Sequence, residues 1–400
     1  MEKALNYYKN NIKAVNENLK KLEKVLIYFS ILRFIIVILC IGIMYYFYKQ
    51  SSIEAMGASF LVFLLIFIIV AFFHNEKINK KKKLLIILEY NEKGIKRLDN
   101  TWREFKDIGE EFINKKHKFS NDLDIFGKSS LFQWINLTKT SFGRKKLANK
   151  MMMNSLPTRY DIQEEQEAIK ELSNKREFCE KIYFEASIEN KKKENIEELL
   201  KWLDKDEKSN FTIKYISYLF IAITFIMIFL TITRKVSISN LILDLIINYL
   251  VIKLLTKRLS DVISIFINNK KEIYKYSNML SIIQDENFKS KKLLSIQKGL
   301  VSSNINCKNE MKKLKNIISW LGDSTSNAYY LIVNVLFMSD IFILSNLEEW
   351  KVKNGYKVRK WLDDMGEIEA LISLSTIAFE HDEWTYPTIS GVNEIEAIEL

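Results

Sequence analysis

Hydrophobic and polar positions along this chain fall into long blocks with helical spacing. In residues 1–24, MEKALNYYKNNIKAVNENLKKLEK, the residues Leu5, Tyr8, Ile12, Val15, Leu19 and Leu22 recur three or four apart, which predicts an amphipathic cytosolic helix. The first span covers about Val25 to Tyr48, with Arg33 its one charge and Phe34–Tyr48 its charge-free part, and Gly57–Phe73 carries no charge. A helix rises ~1.5 Å per residue and bilayer hydrocarbon is ~30 Å thick, so each run just crosses. Residues 25–73 are therefore predicted to form a first transmembrane hairpin. Arg33 lies near one end of its run and can snorkel to the headgroups. Tyr45, Tyr46 and Tyr48 fit an aromatic belt at the far interface.

A second apolar pair follows at 211–256. Tyr215–Thr233 is free of charge, Arg234 and Lys235 make the turn, and Val236–Leu255 returns. Asn240, Asp244 and Asn248 are spaced by four and share one face of that returning helix. They read as polar glue between spans, with an ion or proton path through Asp244 as the alternative. Ala328–Leu347 is also apolar. A fifth crossing would put the basic segment Lys351–Lys360 on the wrong side, so this stretch is expected to be a buried core helix.

The remaining blocks divide as a helical connector at 74–119, a first core segment at 120–210, lever and core helices at 257–387, and a short terminal stretch at 388–400. Within the first core segment, 173–210 mixes Lys191, Lys192 and Lys193 with Glu194, Glu197 and Glu198, the pattern of a solvated helical linker. Gly is 11 and Pro 2 in 400 residues, so helix breakers are scarce and the expected fold class is all-α.

Charge adds an orientation. The net +11 suits either nucleic acid or an anionic membrane face. Lys20, Lys21 and Lys24 precede the first hairpin, and Lys77 and Lys80–Lys83 follow it. That placement favours lipid as partner and predicts a multi-pass protein of the cytoplasmic membrane with both termini in the cytoplasm. Arg234 and Lys235 oppose this topology, but Lys201, Lys205, Lys208, Lys214, Lys253, Lys257 and Arg258 outweigh them. No cleavable signal is visible, so the first apolar run is expected to stay as an anchor.

Catalytic signals are weak. Cys40, Cys179 and Cys307 form no metal or disulfide pattern, and His74, His117 and His381 are scattered. The GKSS at 127–130 ends like a phosphate loop, but the motif needs Gly at position 122, which is Asp. Ser129 or Ser130 reads instead as the cap of a helix starting near Leu131, with Leu131, Ile135, Leu137 and Phe142 as its buried side. No catalytic, cofactor-binding or metal-binding residue is expected, and the chain by itself is not expected to be an enzyme.

One stretch carries a family likeness. DLDIFGKSSLFQWINLTKTSFGRKKLANKM, from Asp122, is followed by LPTRYDIQEEQEAIKEL. Asp124, Phe126, Gly127, Leu131, the step Thr140-x-x-Gly143-x-x-x-Leu147, Pro157, Ile162, Gln166 and Leu172 resemble the opening of the helical core of the MutS family of DNA mismatch repair proteins. Glu165 stands where the family usually has Arg. Trp361–Pro387, with Glu367, Glu369 and Ala370, resembles the last core helix before the family's ATPase domain, and TISGVNEIEAIEL resembles that domain's first strand. The more specific comparison is with bacterial MutS-related proteins that carry membrane spans.

The resemblance covers 120–400, with the second apolar pair at the place of the DNA clamp and the first at the place of the mismatch-reading domain. It implies a MutS-like core with long lever helices that couples an ATPase to membrane anchors, and a homodimer. ATP and Mg are implied only for an ATPase domain beyond Leu400. A DNA-binding module using the basic runs is the alternative within the family. A four-span transporter or sensor using Asp244 is the alternative outside it.

Overall fold

In a computed structural model of the chain, all residues are described except 189–195, 206–211, 257–259, 303–304, 320, 322–327, 390–395 and 398–400. The fold is all-α. Among the described residues the only strands are the two-residue antiparallel pair Val301–Ser302 and Ile305–Asn306.

The helices are α1 (Glu2–Lys49), α2 (Ile53–Leu98), α3 (Leu131–Ile135), α4 (Ser141–Met152), α5 (Arg159–Asn174), α6 (Arg176–Ala186) and α7 (Ile196–Asp204). They continue as α8 (Thr212–Ile232), α9 (Ile238–Thr256), α10 (Ser260–Asp285), α11 (Lys291–Gly299), α12 (Cys307–Ser319), α13 (Ala328–Phe337) and α14 (Ser339–Glu380). They divide into two compact units. One comprises 1–136, 173–187 and 373–400; the other comprises 137–172 and 188–372. Helix α14 contributes to both.

In the first unit the predicted helix and span of residues 1–48 are one continuous helix, and the second span runs on to Leu98 without a break. No proline interrupts either, so nothing stops the helix where the membrane-length run ends. The expected helical connector to residue 119 is corrected here: α2 ends at Leu98, and Asn100 takes a positive φ of 66°. Residues 99–130 hold only the two 3-10 turns Trp102–Glu104 and Glu110–Phe112. Gln133 ties this irregular stretch down. Its Nε2 donates to the carbonyls of Arg103 (3.0 Å) and Phe105 (2.6 Å), and its Oε1 accepts from the Ser129 N–H (2.6 Å).

In the second unit, α7, α10, α12 and α14 enclose a core that includes Leu200, Phe266, Ile273, Tyr276, Leu314 and Trp361. The stretch expected to be a solvated linker instead buries one face of each of its helices. In the first unit α6 buries Phe178, Cys179, Ile182 and Tyr183, and in the second α7 buries Ile196, Leu199, Leu200, Trp202 and Leu203. The charged run Lys191–Glu194 lies outside the described residues. The expected helix Ala328–Leu347 is broken at Met338, with φ 48°. Asn334 explains the break. Its Oδ1 accepts from the Ser339 hydroxyl (3.1 Å) and the Asp340 N–H (3.0 Å), so it caps the start of α14 and stops α13.

Candidate membrane hairpin and the charge cluster at its base

Helices α1 and α2 have 48 and 46 residues, joined by Gln50–Ser52. At ~1.5 Å per residue each is about 70 Å long, more than twice the ~30 Å of hydrocarbon. Both contain a stretch long and apolar enough to cross a membrane. In those 18-residue windows only 6% and 0% of residues are buried. The exposed side chains include Phe34, Ile38, Ile41, Leu61, Leu65, Ile69 and Phe72. A soluble core helix hides such residues; here they face outward. The pairs Arg33 Nη1···His74 Nδ1 (3.3 Å), Lys81 Nζ–Glu23 Oε1 (2.7 Å) and Asn11 Nδ2–Asn91 Oδ1 (3.2 Å) set the antiparallel register.

Away from the tip the hairpin changes character. Tyr8, Val15, Leu19 and Leu22 of α1 and Tyr90, Asn91, Gly94 and Arg97 of α2 are buried. Of these, Tyr8 and Arg97 close on the last turn of α14. The Tyr8 hydroxyl donates to Glu380 Oε1 at 2.8 Å, and Arg97 donates through Nε and Nη2 to both carboxylate oxygens at 2.7–2.9 Å. Arg176 of α6 donates to the Tyr90 hydroxyl and lies 4.5 Å over the Phe379 ring. The Met1 ammonium reaches Asp382 (3.0 Å) and Glu383 (3.2 Å). Burial pushes the Tyr8 phenol well above its ordinary range, and the Glu380 charge adds to the shift. Tyr8 therefore stays protonated and remains a donor. Burial alone would lower Arg97, but Glu380 outweighs it and keeps the guanidinium charged.

The sequence singled out none of Tyr8, Arg97, Arg176 or Glu380 for this role. The available signal was a charge closing an apolar helix face: Arg97 follows Tyr90 and Gly94 at helical spacing, and Glu380 ends the run STIAFE.

The motif residues fall into both units. In the first, Ser130 caps α3 by accepting from the Gln133 N–H (3.2 Å). Asp124 takes φ 48° and accepts from the Leu131 N–H, Phe126 packs on Phe112 and Phe132, and Gly127 takes φ 103°. Leu131 is 38% exposed, not buried as expected; Phe132 and Ile135 supply the buried side.

In the second unit Thr140 caps α4 by accepting from the Gly143 N–H (3.0 Å). Glu369, from α14, then accepts from the N–H groups of Lys139 (2.9 Å) and Thr140 (3.3 Å) and from the Thr140 hydroxyl. Burial raises the Glu369 carboxyl, and these donors pull it back only in part. A Cβ on Gly143 would stand 2.8 Å from the Glu369 Cβ, and one on Gly366 would stand 2.7 Å from the Phe142 carbonyl carbon. Both glycines thus permit α4 and α14 to touch. Leu147 is buried beside them; Pro157 is exposed and Gln166 half-buried, both apart from this contact.

Next to that contact Lys150 pairs with Glu165 and with Glu367 (2.7 Å). Glu165 thus has a lysine partner. Burial would raise Glu367, but Lys150 and then Lys292 hold it below the ordinary carboxylate range. Asp364, one turn earlier, is raised by burial to about 6 despite Lys360 and Lys146.

Among α8, α9 and α13, Thr224 is the hub. Its hydroxyl is 2.8 Å from Asp244 Oδ2, and it accepts from Asn248 Nδ2 at 2.7 Å. Asn248 also reaches the Val335 carbonyl (3.3 Å). Two of the three polar residues on that face therefore meet one partner, while Asn240 is exposed. Within α8, Ser217–Ile232 is an apolar stretch shorter than those of the first hairpin.

The histidines are dispersed: His74 lies in the hairpin, His117 beside Phe119, and His381 stacked on Trp384 at 4.2 Å. Comparison of the chain with models of known families, with curated proteins and with solved structures finds no match.

Proposed function

We propose that this chain is the membrane-anchored helical core of a MutS-type machine, passing nucleotide-driven motion to the bilayer. In this reading α1 and α2 form one anchor and the exposed apolar pair α8 and α9 forms a second. Both termini lie on the lysine-rich, cytoplasmic side. The nucleotide chemistry belongs to an ATPase joined after residue 388, and two copies of the chain act together. Residues 390–395 and 398–400, where the resemblance places its first strand, lie outside the described residues.

The observation that carries the proposal is the shared grip on Glu380. One carboxylate at the end of α14 is held by Tyr8 of α1 and by Arg97 of α2. Both arms of the hairpin are thereby fixed to the residue from which the chain leaves for the expected ATPase. The Thr140–Glu369 contact adds support, because it joins the two stretches that separately resemble the family.

The test is a gene product extending beyond Leu400 with GxxxxGK[ST], assayed for ATP turnover in detergent and in lipid nanodiscs. Turnover that responds to lipid, and loses that response in Arg97→Met, supports the proposal. A frame without a phosphate loop, or turnover indifferent to both changes, overturns it.

A further inference from the structure

The two arms of the first hairpin leave their apolar zones at different heights. On α2 the charge-free run ends at Phe73, and polar residues begin at His74. On α1 the apolar run extends to Val25, which the Lys81–Glu23 pair places two turns further from the tip. Over those two turns Ile27, Tyr28, Ile31 and Leu32 of α1 are exposed beside a basic row on α2. This stretch is therefore greasy on one arm and cationic on the other.

Its charge is unbalanced. Residues 20–33 and 74–83 carry nine lysines and arginines against only Glu23 and Glu76, and Glu23 is taken by Lys81. At the upper edge Arg33 sits 4.9 Å over the Phe67 ring, with Nη1 3.3 Å from His74 Nδ1. The His74 ring is parallel to Phe29 at 5.9 Å. The Arg33 Nε is buried without a hydrogen-bond partner, and among the described residues Arg33 has no carboxylate in reach. Lys77 lies one turn along α2 from His74, half-buried, and Lys80 and Lys82 below it are exposed.

Building on the membrane reading above, we propose that Arg33, His74 and Lys77 form a binding site for the headgroup phosphate of an anionic phospholipid. The acyl chains run along the exposed apolar residues of α1, and Arg33 and Lys77, with Lys80, Lys82 and Lys24 beside them, supply the preference for a net negative headgroup. A guanidinium suits a phosphate because its planar donors match the oxygens. A cation at the lipid surface contributes to anionic-lipid attraction one residue at a time.

The test reconstitutes the full chain in nanodiscs of phosphatidylcholine with phosphatidylglycerol and counts lipids retained after mild detergent extraction by native mass spectrometry. Wild type should retain phosphatidylglycerol in preference to phosphatidylcholine. Arg33→Gln/Lys77→Gln should lower that preference by about fivefold for each cation removed. Lys9→Gln/Lys13→Gln, with the same charge change at the far end of α1, should leave it unaltered. Equal retention by the Arg33/Lys77 variant and wild type, or an equal loss in the Lys9/Lys13 control, overturns the site while leaving the anchor standing. Failure of wild type to enter nanodiscs would instead remove the membrane reading. If the double variant does not fold, Lys77→Gln alone is scored on the same scale.

Discussion

Arg97 and Glu380, 283 positions apart, face each other in a two-pronged ion pair with each side chain 1% exposed. The pair is the point where the hairpin holds the end of α14. A buried pair adds modest net stability, but removing one partner strands the other charge in a dry site, at about 3–5 kcal/mol. Arg97→Met and Glu380→Leu should each lose about that much. The double variant should lose clearly less than the sum, as measured by denaturant unfolding in detergent. Additive losses would mean the pair is not coupled as described.

Thr140→Ala removes the cap of α4 and one donor to Glu369, and should lower stability by about 1–2 kcal/mol. Gly143→Ala should lower it by about 1–3 kcal/mol, because its Cβ must push Glu369 or the whole of α4 aside. The same unfolding assay checks both, and an unchanged Gly143→Ala protein would contradict the close approach of α4 and α14.

Asp364 sets a pH dependence. Its carboxyl rises from an ordinary 3.8 to about 6 through burial. Between those values the folded chain binds more proton than the unfolded chain, so this group's contribution falls as pH rises through the window and stays low above it. Asp364→Asn should therefore stabilise the protein near neutral pH by about 1 kcal/mol, after allowing for solvent screening. The gain should fade toward pH ~4. Thermal melts of both proteins across that range decide the point. Glu367 has the opposite sign: held low by Lys150 and Lys292, its contribution is present above the ordinary carboxylate range and is lost on acidification.

Val62, exposed in the apolar window of α2, tests the anchor. Val62→Arg should cost about 2.5–3.5 kcal/mol of insertion, shifting protein out of the carbonate-resistant membrane pellet. A variant that sediments like wild type would argue that this face does not meet lipid.

Thr224→Val should weaken the packing of α8 on α9 by about 1 kcal/mol, since Asn248 and Asp244 lose their shared hydroxyl. Asp244→Asn keeps that partner and should change little. A large functional loss in Asp244→Asn with unaltered stability would favour the ion path.

Local signals were legible in the sequence. Ser130, with Ser129 as the alternative, was readable as a helix start because a hydroxyl beside a run of free N–H groups is a local event. The hairpin and its outward apolar faces followed from the length and lack of charge of the two runs, and the stripe from Tyr8 to Leu22 followed from periodicity. Helix ends were less legible: the helical pattern of the sequence runs on to residue 119 whereas α2 stops at Leu98, and the break at Met338 depends on Asn334 folding back onto Asp340. The Glu380 cluster was not legible at all. It joins residues 8, 97 and 380, and a lone Arg or Glu on a helix gives no sign of which distant charge it will meet. Glu369 was noticed only as part of a resemblance; that it accepts from Thr140 required the fold.

The arms of the first hairpin are more than twice as long as bilayer hydrocarbon is thick, and in the proposed anchor that surplus makes each arm a lever. From Arg33 to Tyr8 is about 38 Å of uninterrupted helix. If the embedded part rocks by about 10°, its other end sweeps about 7 Å, more than one helical turn. In the membrane-anchored reading proposed above, such a tilt would be carried to Tyr8, Arg97 and Glu380 with no helix break along the way to absorb it.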